Sequence, residues 1–265
     1  MFADAFWLPL LVKIGITAAF VTAASVTAER AGPFFGALIV SLPVAAGPTY
    51  VLLALQASDA FIAESAVNSL AANAGAACFL VTLVLLAPRR SLALSLACAL
   101  AVWLAAASAM RLVAWTAPTA LLLNAAAYSA GLYICRRVEL GYRPAAGGQR
   151  WYELPLRAAA ISILVAGVVT ASNRIGPAVT GLAAVFPLAL SSLALVVHLR
   201  LGGQAVAVAM ASAMRALPGL ALALAALHYV TLSQGAALGL VAALAICLGW
   251  SAGLIVWKLR TARAA

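Results

Sequence analysis

Arg215 stands in the apolar run VAMASAMRALPGLAL, about 12 residues from the nearest chain break at Gly203. A guanidinium stays charged and offers only donors, so its natural chemistry is to hold an anion. Asn68 and Asn73, in AVNSLAANAG, lie at a matching depth of an earlier apolar run. Arg30 and Arg174 each stand two residues before a Gly-Pro pair, in ERAGP and NRIGP. Proline is pre-set for a first helical turn, and the free amides of a helix start attract anions. An arginine beside such a start could complete an anion site. The simpler alternative is a sharp turn at Gly32 and Gly176, with Glu29 neutralising Arg30.

Other chemistry is sparse. The six acidic residues do not cluster, and no nucleophile elbow, phosphate-binding loop or acid–base pair is present. The chain is therefore expected to be no enzyme and to have no catalytic residues. His198 and His228 lack a second ligand at metal spacing, and Cys78, Cys98, Cys135 and Cys247 form no close pair. No metal and no cofactor are expected. Glu64 reads as a solvated helix start, with proton titration as the alternative. Lys13 and Arg157 read as interface anchors, and Arg111 as a snorkelling side chain.

The elements that position these residues follow from composition. The chain is 66% apolar and 8% charged. Soluble domains carry about 25% charged residues, so lipid must be the solvent here. Nine apolar stretches are long enough to span a bilayer: 6–28, 33–56, 63–87, 91–114, 117–135, 156–172, 177–199, 204–229 and 235–257. In lipid the backbone must satisfy itself, so these are helices. No alternation of a membrane β-barrel is present. The first stretch lacks a basic leader and is kept as a span.

The net charge of +10 fits asymmetric loops better than nucleic-acid binding. Arg30, Arg89, Arg90, Arg136, Arg137, Arg143, Arg150, Arg157, Arg200, Lys258, Arg260 and Arg263 fall on one face when loops are numbered alternately; the other keeps Arg174, with Lys13, Arg111 and Arg215 inside or at the ends of spans, and carries Asp4, Asp59 and Glu64. Basic loops stay inside. The expectation is a bacterial inner-membrane protein with its N-terminus outside and C-terminus cytoplasmic.

At an offset of 144 residues, the separation of Arg30 and Arg174, two halves coincide. Trp7 meets Trp151, Gly32 meets Gly176, Pro33 meets Pro177, Leu38 meets Leu182 and Pro43 meets Pro187. The units are four spans each, and the odd span between them, 117–135, inverts the second. The expected architecture is an all-α polytopic membrane protein of nine helices with two inverted four-helix repeats. Residues 1–115 form the first repeat, 116–155 the linker helix and loop, and 156–265 the second. Pro43 and Pro187 fall about ten residues into their spans, about 15 Å deep at 1.5 Å per residue. Proline removes a helical hydrogen bond there. With Pro48 they are expected to be hinges.

At GLAAVFPLALSSLALVVHLRLGG the chain resembles the GlpM-like family of small bacterial inner-membrane proteins, through Gly181, Leu182, Phe186, Pro187 and His198. Gly32, Pro33, Leu38 and Pro43 carry a fainter likeness in the first unit. Members are single four-span units, so the resemblance implies two fused units in the inner membrane. It supplies no catalytic residue.

Inverted repeats are a common plan of secondary transporters, whose sites lie near the midplane. The expected function is a secondary transporter or lipid flippase for an anionic or polar-headgroup substrate. Arg215, Asn68 and Asn73 would face a midplane cavity, with Arg30 and Arg174 as further anion-binding candidates. Membrane lipids are the expected partners, and nucleic acid is not. Alternatives are a non-catalytic scaffold or accessory subunit of an envelope-assembly complex, with these polar groups as interhelical glue, and a small lipid-modifying enzyme.

Overall fold

A computed structural model of the protein describes residues 46–136, 138 and 153–264, together with Gly15 and Ala19. The expected first span, most of the second, Arg30, Pro43 and most of the polar connector lie outside the described residues.

Every regular element among the described residues is a helix. In chain order they are α1 (Ala46–Ala54), α2 (Asp59–Leu86), α3 (Leu92–Met110), α4 (Ala117–Cys135), α5 (Glu153–Ala184), α6 (Leu188–Leu201), α7 (Gly203–Gln234) and α8 (Ala236–Ala264). Six apolar stretches are long enough to cross a membrane: α2, α3, α4, Arg174–Leu201, α7 and Ala236–Trp257. The chain is thus a polytopic, helical membrane protein.

Small polar residues set the helix starts. The Ser58 hydroxyl accepts the Phe61 amide at 3.3 Å, and Ser91 accepts that of Leu94 at 3.4 Å. Thr116 and Thr119 form a reciprocal capping box at the start of α4, where Pro118 sits in the first turn. Each satisfies an amide that the helix itself cannot. Ser58 starts α2 at Asp59, so Glu64 lies more than a turn inside the helix. Gly176, Gly202 and Gly235 take φ of 74°, 80° and 90°, a region unfavourable to L side chains, and each marks a break between helices. Gly176 divides α5 into two rods, as the Gly-Pro pair leads one to expect.

The centre of the bundle is an antiparallel pair, α2 and α7. Ala63 lies beside His228, Asn73 beside Leu217, and Ala87 beside Gly203, so the pair runs in register along its whole length. Helix α4 runs parallel to α2, with Asn124 against Leu70 and Tyr128 against Asn73. Helix α8 folds back along α7. Large apolar side chains such as Leu104, Leu122, Leu244 and Leu248 point outwards from α3, α4 and α8, as lipid-facing surfaces require. These directions put Arg89, Arg90, Arg136, Arg200 and Arg260 at one end of the bundle, the Arg90 face. Asp59, Glu64, Arg111 and Arg174 lie at the other, the Asp59 face. There the Asp59 carboxylate accepts the first amide of α8, Ala236, at 3.2 Å.

Candidate functional site

A polar stripe runs down α2. Glu64, Ser65, Asn68, Ser69 and Asn73 recur at helical spacing on adjoining rows of one helix. From Glu64 to Asn73 the stripe descends about 13 Å at 1.5 Å per residue, and Asn73 lies at the middle of α2. Below it the helix turns apolar, and Phe79, Leu80 and Leu83 pack with Met210 and Met214 with no exposure to solvent.

The second feature is a broken span. Arg174–Leu201 would be one transmembrane helix, but the helical run stops at Ala184 and resumes at Leu188. Pro187, at the start of α6, has no amide to donate. The Phe186 amide bonds back to Ala183 at 3.2 Å, closing a tight turn. Gly181 is one of the last four residues of α5, whose carbonyls a helix leaves without an intrahelical partner. Its carbonyl accepts the Ser69 hydroxyl at 2.6 Å. That hydroxyl has only one proton, so the Tyr50 phenol, 2.6 Å away, must donate to Ser69. The relay Tyr50–Ser69–Gly181 therefore joins α1, α2 and the broken span in a buried setting. Close approach needs glycine at 181, because a Cβ there would overlap the Ser65 carbonyl.

Deeper, the Asn73 amide donates to Asn124 Oδ1 at 2.9 Å, with the Leu217 carbonyl within 3.5 Å. Asn124 donates to the carbonyls of Leu70 at 2.7 Å and Ala120 at 2.8 Å. The Tyr128 hydroxyl donates to the Asn73 carbonyl at 2.8 Å. Asn73 and Asn124 are 1% and 3% exposed, so this knot is sealed between α2, α4 and α7.

At the Asp59 face an open cleft of about 650 Å³ lies between α2, α7 and the α3–α4 turn. Glu64, Asn68, Arg111, Trp115, His228 and Tyr229 line it, with Ala178 of the segment after Gly176. His228 Nδ1 is 2.8 Å from the Ala63 carbonyl. A carbonyl only accepts, so Nδ1 carries a proton, and in that tautomer of the imidazole Nε2 is the acceptor. The His228 ring packs edge-on against Tyr229 at 4.9 Å. Asn68 donates to the Glu64 carbonyl at 2.9 Å, leaving its own oxygen available.

Of the residues singled out in the sequence, Asn68 lines the cleft, whereas Asn73 and Arg215 do not. Arg215 sits near the middle of α7 on the side facing α8. Its carbonyl accepts the Trp250 indole at 2.9 Å, three residues before Pro218, which lies inside α7. Its guanidinium lies 6.0 Å above the Trp257 ring, within cation–π range. Arg174 is exposed, two residues before Gly176. Pro48 is buried within α1. Tyr50, Ser65, Ser69, Asn124 and Tyr128 join the site only through the structure, which also brings Glu64 and His228 into one cleft. The four- and five-residue spacing from Glu64 to Asn73, and of Asn124 from Tyr128, was the available signal. No protein-family model, curated protein or solved structure matches the chain.

Proposed function

We propose that the protein is an inner-membrane secondary transporter or lipid flippase that carries a polar or anionic-headgroup substrate by alternating access and performs no catalysis. Its nine spans form two inverted four-helix repeats about the linker helix α4, with the N-terminus outside and the C-terminus in the cytoplasm. The observation that carries this reading is a transmembrane span broken near mid-bilayer and crossed there by a polar stripe that begins in an open cleft. Irregular backbone at that depth is otherwise confined to protein interiors and cavities.

Three further features support it. Asn73 and Leu217 touch, and they are 144 residues apart, the offset at which the two halves of the sequence align. Equivalent positions meet each other only near a twofold axis, and an antiparallel α2–α7 pair fits an axis in the membrane plane. The basic Arg90 face fits the cytoplasmic side. The cleft is open towards the Asp59 face while Phe79, Leu80, Met210 and Met214 close the other half, an outward-facing arrangement. Membership of the GlpM-like family is proposed with it, since Gly181, Leu182, Phe186 and Pro187 fall on the broken span.

In the transport cycle the segment between Gly176 and Pro187 would move against α2, exchanging the Ser69–Gly181 bond for contacts of the inward state. Liposomes holding the purified protein, loaded with candidate organic anions or headgroup-labelled lipids, test it. Uptake or flipping above empty liposomes, reduced at least tenfold by Pro187→Ala, is the expected result. Rates equal to empty liposomes across the substrate panel would leave the scaffold role instead. Unchanged rates in Arg215→Ala would remove that arginine from the mechanism while keeping the carrier.

A further inference from the structure

We propose that the cleft at the Asp59 face binds a zwitterion, holding a primary ammonium deep in the cleft and an anionic group at its rim. The donor and acceptor inventory leads to this class. Glu64 presents a carboxylate, which only accepts when ionised. Asn68 spends one of its two amide hydrogens on the Glu64 carbonyl and keeps its oxygen as an acceptor. His228 spends Nδ1–H on the Ala63 carbonyl and keeps Nε2. Three acceptors from two facing helices thus line one cleft, and one of them is charged. An –NH3+ group has three hydrogens to give and the matching charge.

The complementary end is Arg111. It closes α3, lines the same cleft and belongs to the same face as Asp59. Its guanidinium offers only donors and suits a phosphate or carboxylate in paired geometry. Trp115 and Tyr229 add aromatic walls, and the Trp115 indole is already committed to the Met110 carbonyl at 2.8 Å. Its ring faces, rather than its N–H, are left for a cation. A quaternary ammonium has no N–H, so it would keep the rings and the charge attraction but make none of the three hydrogen bonds.

An ethanolamine phosphate headgroup and a free amino-acid-like zwitterion share this chemistry. The proposal deepens the carrier reading by naming its substrate class, yet binding can be measured without transport. Purified full-length protein in a maltoside detergent is titrated with O-phosphoethanolamine and with O-phosphocholine, read by Trp115 fluorescence against a Trp115→Phe control. Phosphatidylglycerol vesicles doped with phosphatidylethanolamine or phosphatidylcholine form the lipid arm. The ethanolamine form is expected to bind at least tenfold more tightly than the choline form. Glu64→Gln, at an exposed position, should lose about tenfold of that affinity, and Asn68→Leu a smaller part. Saturation by the soluble compound identifies a free zwitterion, and a response confined to ethanolamine-doped vesicles identifies the lipid. Equal binding of the two headgroups, no binding of either, or full affinity in both variants would overturn the assignment. Binding without liposome transport would sink the carrier and leave this site standing.

Discussion

Ser69 shows how much one small side chain decides in this molecule. It accepts a hydrogen bond from Tyr50 and donates one to the Gly181 carbonyl, so it fixes the relation between α1, α2 and the broken span. Hydrogen bonds between membrane helices are worth about 0.6 kcal/mol on average and up to about 1.7. Ser69→Ala removes two, so a loss of about 1–3 kcal/mol is expected, read as a lower midpoint of thermal unfolding in detergent. The Asn73–Asn124 pair belongs to the same scale. A double-mutant cycle of Asn73→Ala and Asn124→Ala should give a coupling of about 1 kcal/mol, because either truncation alone strands the other amide. Independent, additive losses would mean that the buried knot is not cooperative. These residues were partly legible: a stripe of Glu, Ser and Asn at helical spacing stands out in so apolar a chain. Its partners were not. Tyr50 and Gly181 are reached through long-range packing, which no local spacing encodes.

At the scale of elements, prolines and glycines were the readable signals and helix faces were not. Gly176 and Pro187 act through their own backbone, so the breaks they cause can be foreseen from residue type. Arg215 is the contrary case. Helix α7 turns small and apolar residues towards both neighbours, Met210 and Met214 to α2 and Gly219 to α8, so its sequence does not say which side meets which. The guanidinium consequently stands by Trp257, a neighbour that depth alone could not name. Pro187 gives a direct prediction. A proline inside a helix costs about 3 kcal/mol or more, so Pro187→Ala favours a continuous helix from 177 to 201. The variant should keep or raise its thermal midpoint while transport falls at least tenfold. A parallel fall of stability and transport would mark the proline as a folding element only.

For the whole molecule, spans and charge asymmetry were legible because the bilayer imposes them on any chain of this composition. Six of the spans expected from 63 onwards appear as stretches long and apolar enough to cross a membrane, whereas the expected 156–172 span is represented among the described residues by a shorter apolar helix, Ser162–Ser172, and α7 and α8 run further than expected. Sidedness yields a labelling test. In a background lacking Cys78, Cys98, Cys135 and Cys247, a membrane-impermeant maleimide applied to intact cells should reach Ser233→Cys and not Arg90→Cys. Arg30→Cys and Arg174→Cys should react from opposite sides, and reaction of both from one side would abolish the inverted repeat.

The α2–α7 seam has one more consequence. Because these two rods meet along their full length, covalent continuity between the halves is not what keeps them together. A gene severed between the codons for Arg143 and Arg150, expressed as two polypeptides, should yield fragments that find each other in the bilayer and copurify through a tag on either one.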